Sequence, residues 1–257
     1  MTRSVLSTAL FIIASAFVSA PASAQTVTNN QASKPAAGSI RFVRAFIIDD
    51  RLSALRREAD IQSEVIQRPR LGRLVYVLQT RSGDILQNGF YRVALSRRTR
   101  GWMHRSALAI AGRAGEDQKV LNLIDSRSEE IDRLTLCRVL TDRFPRSAFM
   151  PRALLAMGQE AERAARDIVP LARKRLSKMN EKNHNAPLRD YYLSDTSLDR
   201  YSRLRIRFDF DESTSRYVYD GQAYRELIKK FPASDEARMA RVRLDQIEQK
   251  IARQRNN

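Results

Sequence analysis

Leu71-Gly72-Arg73-Leu74-Val75-Tyr76-Val77-Leu78 decides how the N-terminal half is read. A glycine stands second in the run, and a short stretch rich in β-branched and aromatic side chains follows it. Gly72 can take the positive φ that a tight turn between strands needs. Outward from it, runs of the same kind recur at close spacing: Phe42-Val43, Ala45-Phe46-Ile47-Ile48 and Val65-Ile66 upstream, then Phe90-Tyr91-Arg92-Val93-Ala94 and Gly101-Trp102-Met103 downstream. Turn-like stretches separate them at Arg70-Leu71-Gly72, at Arg81-Ser82-Gly83-Asp84, and from Ser96 to Arg100. Several short strands this close together predict a small β-barrel over residues 40–112. Gly101 is expected to let two backbones approach, and Trp102 to cover one end of the barrel with a large apolar group.

Ala54-Leu55-Arg56, Val65-Ile66, Leu71 to Leu78, Gly89-Phe90-Tyr91-Arg92-Val93, Gly101-Trp102-Met103-His104 and Ala107-Leu108 follow one another in a familiar order and spacing. The segment resembles a bacterial SH3-like (SH3b) domain, and the resemblance implies a small SH3-like β-barrel. Two positions depart from the family pattern. Glu58-Ala59 stands where the first turn usually carries Gly-Pro, and Phe90 replaces the first aromatic of the Gly-Trp-Tyr element. The resemblance therefore bears on the fold and not on a ligand preference.

From Gly115 the period of the apolar residues changes to that of a helix. Ser126-Arg127-Ser128-Glu129 has the form of a capping box. Ile131, Leu134, Cys137, Leu140 and Phe144 then recur at three- and four-residue steps and predict one apolar stripe. Phe144-Pro145-Arg146-Ser147 breaks the helix, and Pro151 suits the first turn of the next, which runs through Ala153, Leu154, Met157, Ala161 and Ala164-Ala165. Pro170 is expected to kink or restart that helix. Residues 181–219 read as an insert: a polar loop closed by Pro187, then aromatics mixed with charges from Tyr191 to Tyr219. Helical spacing returns at Ala223-Tyr224, Leu227-Ile228 and Phe231, and continues through Ala237, Ala240, Leu244, Ile247 and Ile251.

The two helical stretches repeat each other. Arg138-Val139-Leu140-Thr141-Asp142-Arg143-Phe144-Pro145-Arg146-Ser147 aligns with Arg225-Glu226-Leu227-Ile228-Lys229-Lys230-Phe231-Pro232-Ala233-Ser234. The match extends to Ala153 with Ala240 and to Met157 with Leu244. Helix, Phe-Pro-x-Ser turn, then a helix with small residues at the crossing predicts an antiparallel helix pair. It resembles the tetratricopeptide-like (TPR-like) hairpins of bacterial envelope assembly and scaffold proteins. The expected fold is therefore multidomain, all-β plus all-α: a small SH3-like β-barrel over 40–112, then an α-helical TPR-like hairpin domain over 113–257. Two hairpins are few for a solenoid, and the insert at 181–219 is expected to help cover their apolar faces.

The chain opens with Arg3, an apolar stretch from Val5 to Val18, and Ala22-Ser23-Ala24. This is the layout of a secretory signal peptide over residues 1–24, and it predicts a periplasmic or secreted protein. Residues 25–39 read as a disordered linker, and no later apolar run is long enough to span a bilayer. One cysteine, Cys137, cannot form an internal disulfide, and its place on the apolar stripe predicts a buried thiol. Net charge is +17. Residues 41–105 carry 14 Arg against 6 Asp or Glu, and the helical half is basic too. In an exported protein that charge points to anionic envelope polymers and away from nucleic acid, unless it only reflects an arginine-rich proteome.

No residue set carries catalysis. Cys137 is expected to be inert in the core. His104 falls on a strand and His184 in a loop, neither with a second histidine at metal-ligand spacing, so neither a metal nor another cofactor is expected. Asp49-Asp50 and Asp209/Asp211 could serve acid–base chemistry but are expected to be solvated or paired with arginine. Two stretches could bind a partner. One is Tyr76, Phe90, Tyr91 and Trp102 with Arg100 and its neighbours Arg97 and Arg98, which either presents aromatic faces and arginines to a peptide or glycan or forms barrel core beside a solvated loop. The other is Asp190-Tyr191-Tyr192, Asp199-Arg200-Tyr201 and Arg205-Ile206-Arg207, which either binds or locks the insert onto the helices. The sequence thus predicts a non-catalytic envelope protein that binds peptidoglycan or envelope proteins. An accessory of a wall enzyme is the alternative, and a wall hydrolase a third.

Overall fold

The computed structural model describes residues 40–179, 197–211 and 214–255. The expected signal peptide, the linker at 25–39 and residues 180–196 of the insert, with His184, Asp190, Tyr191 and Tyr192, lie outside the described residues.

Nine strands make one antiparallel sheet: β1 (Arg41–Ile47), β2 (Leu55–Arg56), β3 (Val65–Gln67), β4 (Leu74–Thr80), β5 (Gly83–Asp84), β6 (Leu86–Gln87), β7 (Phe90–Ala94), β8 (Arg100–His104) and β9 (Leu108–Ile110). Their order is β3-β2-β8-β7-β4-β1-β9, with β5 on β4 and β6 on β7. The path keeps two ends, β3 and β9, so the sheet is open where the sequence predicted a closed barrel. Pro69 follows β3 and has no N–H to extend a ladder. Beyond β9 the chain turns at Gly112 and enters a helix that packs against that strand.

The inner face of the sheet is aliphatic. Ala45, Ile47, Leu55, Val75, Val77, Val93, Met103, Leu108 and Ile110 form one buried cluster. Alternation along β1 then sends Phe46 to the opposite face. Phe46, with Ile48 beyond the strand and Ala109, its ladder neighbour, belongs to a second cluster built mainly from helices. β1 is therefore buried on both faces at its C-terminal end, and sheet and helices form one compact unit. Gly72 serves this seam twice. Its φ of +75° makes the turn, and a Cβ there would lie 2.9 Å from Thr135 Cγ2.

The helical part contains α1 (Glu116–Ser126), α2 (Glu130–Arg143), α3 (Met150–Met179), α4 (Ser197–Arg203), α5 (Gln222–Lys230) and α6 (Asp235–Arg255). The capping box does not form. Ser126 ends α1 and donates back to the Leu123 carbonyl, while Glu129 precedes α2 without a side-chain cap. α3 runs through Pro170 as one helix instead of restarting. The lost N–H removes one backbone bond, but Ala164, Ala165, Ile168 and Val169 stay buried around it.

The internal repeat is structural. Phe144 N–H donates to Leu140 O at 3.0 Å, and Phe231 N–H to Leu227 O at 2.9 Å. Ser147 N–H then donates to Phe144 O and Ser234 N–H to Phe231 O, and each serine hydroxyl accepts from a backbone N–H at the start of the next helix. Ala153 and Ala240 are fully buried where each pair crosses. Between the pairs, the insert contributes α4 and a hairpin of β10 (Phe208–Asp211) and β11 (Arg216–Tyr219) that packs on α3.

Candidate functional site

Direct cross-strand partners share a face, so the register shows which side chains meet on the sheet. Arg44 pairs with Tyr76, Tyr76 with Ala94, and Ala94 with Arg100. A second row runs Arg56, Trp102, Arg92. Both rows lie on the face opposite the aliphatic cluster. Phe42 shares that face and is 50% exposed. Its ring meets Tyr76 edge-on at 6.4 Å, and the Arg100 guanidinium lies 5.8 Å from its centre. The Arg92 guanidinium sits 5.3 Å over Trp102. Ala94 makes this possible, because a larger residue between Tyr76 and Arg100 would fill the space that the arginine crosses.

The residues singled out from the sequence therefore separate. Tyr76, Arg100 and Trp102 come together on the outward face. Phe90 is nearby but buried, packed edge-on against His104 at 5.3 Å. Tyr91 faces the other way, toward the aliphatic cluster, and its hydroxyl accepts from Arg113 at 3.1 Å. Arg113 also holds Asp84 at 2.7 Å. Burial opposes the Arg113 charge, but the Asp84 carboxylate outweighs it and raises the guanidinium above its ordinary value. Trp102 does not cap a core. Strict alternation puts Gly101 and Met103 inside, so Trp102 points outward and is half-buried. Phe42, Arg44, Arg56 and Arg92 were missed. The alternation Phe42-x-Arg44-x-Phe46 was the available signal.

The second stretch is a packing joint in its described part. Tyr201 is 2% exposed and donates to Glu130 at 2.7 Å, with Arg200 over its ring and Phe208 edge-on at 5.2 Å. Ile206 is buried, and Arg138 of α2 donates to the Leu204 carbonyl at 2.9 Å. Burial and the neighbouring Glu130 push the Tyr201 hydroxyl up to about 12.

Of the groups weighed for catalysis, Cys137, His104 and Asp49 are held within the fold. Cys137 is fully buried, and burial pushes its thiol up to about 12. His104 Nδ1 accepts from Ser106 N–H at 3.3 Å. Asp49 is held by Arg51 and Arg127. Among the described residues, no group of three His, Cys, Asp or Glu is placed to hold a metal ion, and no helix is long and apolar enough to cross a membrane. No protein-family model, curated protein or solved structure matches this chain.

Proposed function

We propose that this chain is an exported, non-catalytic binding and scaffold protein of the cell envelope. In this reading an SH3b-like module contacts cell-wall peptide or protein, and TPR-like hairpins hold a protein partner. The observation that carries it is the outward sheet face, where Arg44, Arg92 and Arg100 stand among Phe42, Tyr76 and Trp102. Guanidinium groups suit the carboxylates of wall peptides, and aromatic rings suit the C–H faces of sugars. The buried, raised thiol of Cys137 supports a non-catalytic role over a cysteine hydrolase.

Co-sedimentation of the mature protein with purified peptidoglycan, at low and at moderate salt, tests the wall-binding half. Binding is expected at both, with loss in Trp102→Ala and Arg100→Ala. Protein left in the supernatant at both salts would remove that half. A second reading, an accessory of a wall enzyme acting only through protein contacts, is favoured by α6. Met239 and Val242 lie one turn apart there, 54% and 58% exposed. Pull-down from envelope extracts with wild type and Met239→Ser/Val242→Ser distinguishes it, since loss of one defined partner in the variant is the outcome it requires.

A further inference from the structure

Along β1 the side chains opposite the aliphatic cluster alternate Phe42, Arg44, Phe46, with Phe46 buried beneath the helices, and a further guanidinium lies over each phenylalanine. Arg100 of β8 is 5.8 Å from the Phe42 ring centre, and Arg143, in the last turn of α2, is 5.0 Å from that of Phe46. Arg44 thus stands between two rings that each carry an arginine from another element. Stacking occupies the flat face of a guanidinium and leaves its N–H edges free to bind. Arg44, Arg100 and Arg143 are all exposed. Among the described residues none of the three is paired with a carboxylate, whereas Arg113, Arg127, Arg133 and Arg138 each are. Exposed cations without a carboxylate partner give this face a positive potential that favours anions.

The spacing narrows the occupant. Phe42, Arg44 and Phe46 recur about every 6.6–6.8 Å along one face of the strand, the same repeat as the side chains of an extended polypeptide. From Arg44 to Phe46, β1 is already hydrogen-bonded on both sides, to β4 and to β9 with the Ala111 N–H on the Arg44 carbonyl, so a chain arriving there is read through its side chains. We propose that this face docks an extended acidic segment of a partner protein, whose carboxylates at alternate residues meet Arg100, Arg44 and Arg143 in turn. The proposal rests on the reading of the module as a protein-contact surface and is independent of wall binding.

The test uses the full mature chain and a rhodamine-labelled peptide that alternates Glu and Ser, followed by fluorescence anisotropy near physiological ionic strength. An isomer with all its Glu in one block has the same charge and the wrong spacing. The alternating peptide is expected to bind about tenfold more tightly, the factor expected from one correctly placed charge-assisted hydrogen bond. Arg44→Gln and Arg143→Gln are each expected to weaken it by about tenfold, and Arg81→Gln, which removes the same charge from a distant turn, by less than about twofold. Unchanged thermal melting of the variants shows that the fold persists. Equal affinity for the two isomers, or equal effects of Arg44→Gln and Arg81→Gln, overturns the proposal. Preference for inorganic polyphosphate over the alternating peptide also overturns it, in favour of a phosphate polymer. Peptide binding without peptidoglycan co-sedimentation removes the wall-binding reading and leaves this one, and the reverse result does the opposite.

Discussion

Arg127, just beyond α1, reaches back to the sheet and holds Asp49 at 2.8 Å, with Asp50 at 3.3 Å and Asp132 at 3.8 Å around the same guanidinium. Arg127 and Asp49 have side chains only 11% and 7% exposed. Removing the cation would leave the buried Asp49 carboxylate beside those of Asp50 and Asp132, with only the exposed Arg51 opposite it. Arg127→Ala is therefore expected to lower stability by about 3 kcal/mol, read from urea unfolding at neutral pH.

The same pair sets an acid limit. Burial alone would raise the Asp49 carboxyl, but the Arg51 hydrogen bonds and the charges of Arg127 and Arg51 outweigh it and hold the group below its ordinary 3.8. Its contribution is thus complete above that value and is lost as pH falls through the lower folded value. Asp132, raised by burial and then by the Asp50 charge, works in the opposite sense. Comparison with Asp49→Asn isolates the Asp49 effect. Between about pH 5 and pH 3 the urea midpoint should fall further in wild type than in the variant.

Adjacent residues on β8 should differ sharply in what they do. Met103 is fully buried in the aliphatic cluster, and Trp102 faces outward under Arg92. Met103→Ala should lower stability by about 3 kcal/mol and Trp102→Ala by about 1 kcal/mol, although tryptophan is the larger side chain. Thermal melts of the two variants decide this. A greater loss in Trp102→Ala would place the tryptophan in the core.

Gly158 of α3 lies against the ring of Tyr224 from α5. A Cβ there would sit 2.3 Å from Tyr224 Cε1, closer than packed atoms approach. Tyr224 cannot easily yield, because its hydroxyl donates to Glu162 at 2.7 Å and Arg243 grips the same carboxylate at 2.7 Å. Gly158→Ala should lower stability by about 2 kcal/mol despite its better helix propensity. Tyr224→Leu in that background should recover part of the loss, a coupling that unfolding of both singles and the double would reveal.

Tyr201, Tyr219 and Tyr224 should resist ionisation. Burial is the first cause at each, and the carboxylates of Glu130 and Glu162 add to it at Tyr201 and Tyr224. Folded values raised above the ordinary 10.0 contribute stability that is complete below that pH and is lost as pH rises through the folded values. Ultraviolet titration should therefore show three tyrosines protonated near pH 11 that ionise only as the protein unfolds. Three earlier ionisations would contradict this packing.

The strand runs and the Phe-Pro-x-Ser turns could be read from the sequence because each is a local pattern: a period of two, or a residue that ends a helix. Facing was harder. Gly101-Trp102-Met103 is apolar on both sides of the strand, and only pairing with β7 decides that Met103 turns inward. Phe208-Asp209-Phe210-Asp211 and Arg216-Tyr217-Val218-Tyr219 alternate as strands do, yet read as an aromatic and charged mixture because no apolar run marks them. The continuous run Ala45-Phe46-Ile47-Ile48 was the one signal that both sides of β1 would be covered. The grouping of Arg44, Arg100 and Arg143 had no local signal, since they are far apart in the chain and are brought to one face only by the sheet register and the docking of α2.

That docking limits how the chain could have been assembled over evolutionary time. Phe46, Ile48 and Ala109 are each at most 2% exposed because helices cover them. A gene break after residue 112 would hand the sheet to a new host with this apolar patch bare to water. The strands could be passed on only with a replacement cover, so shuffling would have to move the seam as well as the sheet.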